Sequence, residues 1–395
     1  MSPRALALRS SSTLQSSLTP HLCKLNRVLA WLVAVGFLVS SVTAWAGVVD
    51  AGGPKGSSLV WFAHPAEKWE NALPVGNGRL GAMVFGKTDE EQIQLNEDTY
   101  WSGGPYSTTR TGGHKDLAEI RRLIFAGELV QAHKLFGRSM MGYPVEQQKY
   151  QSLGNLMLKF PAGGQVRDYR HELDLDTAIA TTTFERDGVR YRREVFASPV
   201  DQVIVVRVSA DKPGRISFTA QLRGDRNQAH SNYATDYFQM NGLGADGLIV
   251  TGKSADYLGV PGALRYQSRL RAIPRGGQVS VSGDTLTIRD ADEAILLIAA
   301  ATNFVNYKDV SADPGARVDG VMRAVAGKSF DQLRAAHVTE HQRLFRRVRI
   351  SLGRTANADL PTDERLKAFD GTNDPDLAAL VFQFGRYLLI SSSRP

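Results

Sequence analysis

The sequence predicts a mainly β protein with a helical C-terminal part: a large antiparallel β-sandwich of two broad sheets (a super-sandwich), followed by helices. Three observations predict it. Apolar residues alternate with period two in run after run, and Gly, Pro, Asn and Asp clusters separate the runs. From Tyr150 onward many such runs follow one another without an intervening helix, which favours antiparallel pairing. Near Ser329 the period changes to that of helices. At 395 residues, with 43% hydrophobic and 22% charged residues, the chain is globular stock and long enough for more than one domain.

Residues 1–46 read as a secretory signal. They hold Arg4, Arg9, Lys24 and Arg27 and no acid, then an apolar core from Val28 to Val39, then small residues at Ala44 and Ala46. The core falls short of the roughly 20 apolar residues of a membrane span. Cleavage is expected after Ala46, with a periplasmic or secreted product and no stable membrane association. An uncleaved N-terminal anchor is the alternative. Of the formal charge of +7, four units sit in this segment, leaving 7 − 4 = +3 for the rest. No basic run stands out there, so the sequence offers no electrostatic support for nucleic-acid binding. The one cysteine, Cys23, lies within the signal, so the mature chain is expected to have no disulfide, thiolate nucleophile or cysteine metal site.

Residues 47–58 are expected to form a flexible leader, and the sandwich domain is placed at 59–328. "LGAMVF" and "QIQLN" are strands joined across "GKTDEE". A helical interruption follows, with Asp116 as N-cap and Leu117, Ile120 and Ile124 on one face. Gly127 ends it, and "ELVQAHKLFG" makes a second short helix. Asp187-Gly188 marks a type I′ hairpin inside "ATTTFERDGVRYRREVFAS". The strands "DQVIVVRVSA", "GRISFTAQL", "GLIVTG", "ALRYQSRLRAI", "GQVSVSGDTLTIRD" and "AILLIAAAT" complete the run.

A helical linker is placed at 329–373: the helix "SFDQLRAAHVTEHQRLFRRV", a short strand "RISLG" and a polar stretch through Asn373. The last helix, in 374–395, starts with Asp374 as cap and Pro375 at its first position. Leu377, Leu380, Val381, Phe384 and Leu388 form an apolar stripe, which Phe382, Tyr387, Leu389 and Ile390 widen to nearly the whole circumference. Such a helix belongs in an interior. Its partners are expected beyond Pro395, in a longer protein of which this chain is a fragment.

Three patterns could carry chemistry. "GNGRLG", Gly76 to Gly81, has dinucleotide-fold spacing, but a strand follows it where that fold needs a helix, so a tight backbone crossing is expected. His337 and His341 in "HVTEH" have the spacing of a zinc pair, yet no obvious third ligand follows; packing groups are the alternative, and no metal site is expected. Glu97 and Asp98 are acidic neighbours. Glycoside cleavage needs carboxyl groups about 5–9.5 Å apart across the scissile bond, and adjacent residues of an extended segment point to opposite faces. A nucleophile elbow, G-x-S-x-G, is absent. No complete active site emerges, so no catalytic residue and no cofactor is assigned within the chain.

The longer blocks say more. "WENALPVGNGRLGAMVFGKTDEEQIQLNEDTYWSGGP", Trp69 to Pro105, resembles the N-terminal signature of glycoside hydrolase family 95, whose type activity is exo-acting α-L-fucosidase. Tyr150 to Phe160, Tyr169 to Ala210 and Asp374 to Pro395 resemble the family in the same order. The resemblance implies a β-sandwich, a helical linker, an (α/α)6 catalytic barrel and a C-terminal β-domain, with the last helix here as the first of the barrel. It implies hydrolysis with inversion: a glutamic acid protonates the leaving oxygen, and an asparagine polarised by an aspartate activates water. All of these sit in the barrel, so none can be carried onto this chain. The family's linker helix commonly has a residue like His337 but an aromatic where His341 stands.

The loop "NEDTYWSGGP" carries Tyr100 and Trp101 from a strand end. Aromatic faces beside polar groups suit sugars, and Trp101 is the candidate substrate-binding residue, with interdomain packing as the competing role. The expected partners are a fucosylated glycan and the catalytic barrel. Alternatives are an α-L-galactosidase of the same family and a stand-alone carbohydrate-binding sandwich.

Overall fold

The computed structural model describes residues 58–224 and 238–394, all within one unit, Pro54–Pro395. The predicted signal, 1–46, and the leader up to residue 57 lie outside the described residues. Two antiparallel sheets make the core. The nine-stranded sheet runs β1 (Leu59–Phe62), β6 (Arg167–Asp174), β7 (Ile179–Arg186), β8 (Val189–Ser198), β9 (Val203–Ala210), β16 (Glu293–Thr302), β13 (Arg265–Arg275), β12 (Gly247–Lys253), β11 (Phe238–Leu243). The seven-stranded sheet runs β14 (Gln278–Ser282), β15 (Thr285–Ala291), β10 (Ile216–Arg223), β5 (Gly154–Lys159), β4 (Glu90–Glu97), β3 (Leu80–Val84), β2 (Leu73–Gly76).

Their facing sides interdigitate. Ile93, Leu95, Leu156, Leu158 and Ile288 of one sheet share a core with Val195, Val206, Leu270, Leu296 and Ile298 of the other. A second core lies behind the nine-stranded sheet. There Phe196, Val203, Val205, Leu297 and Ala299 pack against Val318 and Val325 of α3 (Pro314–Val325) and against Phe330 and Leu333 of α4 (Phe330–Phe345). This double burial explains why "VIVV" and "AILLIAAA" are continuously apolar instead of alternating. The Asp187-Gly188 turn has φ of 53° and 67°, as a type I′ hairpin requires.

The helical interruption is α1 (Leu117–Phe125) and α2 (Leu129–Ser139). It buries Ile120 and Leu123 and leaves Ile124 exposed, so the inward face is turned from the one predicted. α3 adds a helix to those expected: Asp313 before Pro314 repeats the Asp-Pro start of the last helix, and Asp313 accepts from the N–H of Gly315 and Ala316. "RISLG" is not a strand: Ser351 to Arg354 are exposed, so alternation there has no face to bury. The expected polar linker contains α5 (Thr362–Ala368), whose Arg365 pairs with Asp374 and Asp376 in the interior. Ser329 and Gln332 close a capping box on α4.

The last helix, α6 (Pro375–Ser392), departs most from expectation. Leu377, Leu380 and Tyr387 belong to the main core, and the Tyr387 hydroxyl donates to Pro74 O at 2.6 Å. Their spacing of three and seven residues places them on one face, against β2 and α4. So one face has its partner inside this chain. Val381, Phe382, Leu388 and Leu389 on the other face are exposed. Among the described residues no helix is long and apolar enough to cross a membrane.

Candidate functional site

The β2–β3 hairpin closes at Gly76-Asn77-Gly78-Arg79. Asn77 holds it: its Oδ1 accepts from the N–H of Arg79 and Leu80, and its Nδ2 donates to Ser198 O at 3.0 Å. Gly78 sits at φ 91°, a conformation open to glycine. A strand, β3, leaves this turn, so the glycine spacing serves a tight backbone crossing.

Arg79 crosses from one sheet to the other. Its Nε donates to Gln202 Oε1 at 3.0 Å and its guanidinium to Ala300 O, while Glu97 lies 3.6 Å away. Glu97, at the end of β4, is buried. Its Oε2 accepts from the N–H and the hydroxyl of Thr99 at 2.8 and 2.7 Å. The Thr99 hydroxyl in turn meets that of Thr302 at the end of β16. Burial pushes the Glu97 carboxyl up, and the Thr99 donors oppose it. Glu97 is thus committed to holding the loop. Asp98 is on the surface; partial burial pushes its carboxyl up and the Arg79 charge pulls it down.

The loop that follows separates its two aromatics. Tyr100 points inward, packs on the Tyr266 ring at 4.7 Å and donates from its hydroxyl to Lys253 O. It does not project with Trp101 as expected, because neighbouring residues leave the backbone on opposite sides. Trp101 is 40% exposed. Its Nε1 donates to Asp98 O at 3.0 Å, and its ring stands edge-on to Tyr150 at 5.4 Å. The Tyr150 hydroxyl donates to Glu97 O at 2.9 Å. A half-exposed aromatic ring is therefore fixed on a polar loop by a main-chain oxygen, and an aromatic face suits the apolar face of a sugar. Arg79, Thr99, Gln202 and Thr302, which build this wall, were not singled out from sequence. Only Arg79 had a local signal, its place between glycines.

A cleft of about 880 Å³ opens between β11–β13 and the start of α3, lined by Arg265, Tyr266, Gln267 and Asp313 among others. Asp313 is the carboxylate there, and it caps α3. The described residues that line the cleft thus offer no acid–base pair for glycoside cleavage.

His337 and His341 are buried on the inner side of α4. Their Nε2–H groups donate to Ala178 O at 3.2 Å and Leu175 O at 2.8 Å, and their rings stack between Phe196 and Phe345. Burial holds both below the usual imidazole range, His337 at about 4. Glu340 between them is engaged with Arg343 and Arg394. Among the described residues no group of three or more His, Cys, Asp or Glu is placed to hold a metal. The arrangement is that of packing groups.

A family model described as glycosyl hydrolase family 65, N-terminal domain, matches residues 60–307. Another, described as glycosyl hydrolase family 95 catalytic domain, matches residues 329–395. The protein named "Alpha-L-fucosidase 2" from Arabidopsis thaliana is 34% identical over 359 residues, 85% of this chain and 42% of its own length. "Probable alpha-fucosidase A" from Aspergillus niger is 30% identical, over 82% of this chain and 41% of its own. Its namesake from Aspergillus oryzae is 26% identical, over 84% of this chain and 47% of its own. The chain spans less than half the length of these curated relatives.

Proposed function

The chain belongs to glycoside hydrolase family 95, with an N-terminal domain of the family 65 type, and on that premise we propose that it serves in an exported α-L-fucosidase. The carrying observation is the 34% identity to a protein named as an α-L-fucosidase, which covers 85% of this chain. In this reading the mature chain begins at Gly47, the sandwich and linker support a barrel that opens with α6, and the exposed face of α6 packs within that barrel. The enzyme is exo-acting and inverting. Its acid and its water-activating residues belong to the barrel, and Trp101 forms part of the rim around a terminal fucose.

Turnover is thereby assigned to the full-length protein. That protein should hydrolyse an aryl α-L-fucoside faster than the α-L-galactoside, releasing β-L-fucose first, as NMR of the nascent sugar would show. Residues 47–395 by themselves should be inactive. Release of α-L-fucose first would overturn inversion, and turnover by 47–395 that persists through purification would require a catalytic pair inside the sandwich. N-terminal sequencing of the exported protein checks the start at Gly47.

Trp101→Ala should lower kcat/KM about fivefold, since a rim aromatic contributes on the order of 1 kcal/mol. The ring is partly exposed, so Tm should hardly change. An unchanged kcat/KM would leave Trp101 a packing role.

A further inference from the structure

Three hydrogen bonds run in series from the last turn of α6 to the Trp101 indole. The Gly78 N–H donates to Ser391 O at 2.7 Å. One residue on, Arg79 O accepts from the Asp98 N–H at 3.0 Å. Asp98 O then accepts from Trp101 Nε1 at 3.0 Å. The end of α6 is also held from the α4 side, where Arg394 donates to both oxygens of Glu340 at 2.6 Å.

From this geometry we infer that the Gly76–Arg79 hairpin is a positioning element that sets Trp101 against the helical segment similar to the family 95 catalytic domain, with Gly76 and Gly78 as its positioning residues. The role given to Trp101 rests on the fucosidase reading; the coupling rests on the contacts alone.

The closeness of α6 is what demands glycine. A Cβ on Gly76 would stand 2.7 Å from Ser391 O, a backbone atom that cannot swing aside. A Cβ on Gly78 would stand 2.6 Å from the Cβ of Arg394, and the φ of 91° would strain any L residue there. Gly76 has no such positive φ, so a methyl group there is opposed chiefly by α6. That makes it the clean probe. Gly81, the third glycine of the same stretch, would meet only Val75 O, at 3.5 Å, which is ordinary contact. It is the control.

Gly76→Ala in the full-length protein should lower kcat/KM on an aryl α-L-fucoside about tenfold, because a misplacement of about 1 Å can cost more than that. Gly81→Ala should stay within about twofold. In a Trp101→Ala background the Gly76→Ala loss should shrink below about threefold, the non-additivity expected of coupled residues. Hydrogen exchange supplies a readout that needs no substrate: Gly76→Ala should speed exchange of the Asp98 amide, and Gly81→Ala should not. Equal losses in both backgrounds, well below Tm, would reduce the glycines to structural residues. Unchanged Asp98 exchange would overturn the coupling. Wild-type protein that fails to hydrolyse the fucoside would count against the fucosidase reading alone, with exchange still deciding the coupling.

Discussion

Acidification from pH 7 to pH 4 is expected to remove about 6 kcal/mol of folding stability through two buried imidazoles, His171 and His337. Both are nearly inaccessible. The His171 Nε2–H donates to Val84 O at 3.1 Å and its Nδ1 accepts from the Thr182 hydroxyl at 2.9 Å. His337 donates to Ala178 O and lies flat against Phe196, with Arg394 and His341 on its other sides. Burial lowers each to about 4. The sign follows. Above the unfolded value of about 6.5 neither state is protonated and the contribution is constant. Between 6.5 and 4 the unfolded chain takes up protons that the folded one refuses, so stability falls, by about 3 kcal/mol per histidine at pH 4. His341, lowered in the same direction, adds to the fall. Glu97 and Asp174, pushed up by burial, act in the opposite sense at the acid edge of the window. Denaturant unfolding between pH 7 and 4.5 would measure the slope. His337→Phe keeps the stack and should remove about one proton from it; a slope unchanged in that variant would defeat the assignment.

Arg193→Leu is expected to cost about 3–5 kcal/mol, the usual penalty for leaving a buried partner charge uncompensated. Arg193 of β8 reaches across the sandwich to Glu91 of β4, and donates to Lys87 O at 2.9 Å as well. Glu91 is fully buried and accepts from the N–H of Phe85 and Gly86 at 3.1 and 3.0 Å. Burial already pushes its carboxyl up, while Arg193 and these donors pull it down. Without Arg193 it climbs further, and the folded state then holds a proton that the unfolded chain has lost. The deficit of the variant should therefore be largest at high pH and shrink as pH falls. Adding Glu91→Gln, which still accepts from both N–H groups, should recover most of the loss. A deficit that does not vary with pH and is not rescued would show that lost packing, not stranded charge, sets the cost.

The strands were legible because their period is local. The paired hairpin β3–β4, the Asp187-Gly188 turn and the unbroken apolar β16 can each be read from ten residues or so. Less legible was anything that depends on which surface lies opposite. Alternation in "RISLG" reads like a strand until it is found with no face to bury. Ile124 and Leu123 are equally apolar, and only the packing of α1 chooses between them. The candidate site shows the same division. Trp101 could be picked out as an aromatic on a polar loop, but its inward neighbour Tyr100 looked identical. The hold of Arg79 on Gln202 and Ala300 spans more than a hundred residues of sequence and leaves no trace in either segment.

By itself the sequence determined the class, the two regimes of period two and period 3.6, the Asp374 cap of α6, and the family. These rest on local sterics, on hydrogen bonds within a few residues, and on blocks of residues that can be compared directly. The tertiary structure alone decided that α6 has a covered and an exposed face, that its end rests in a socket of two glycines, and that His337 and His341 are packing groups. It also decided that Glu97 is spent inside a wall while Trp101 is left outside it. The physical reason is that burial is a property of pairs of surfaces. An apolar stripe, a glycine or a carboxylate carries in its own sequence no record of what will be brought within 3 Å of it.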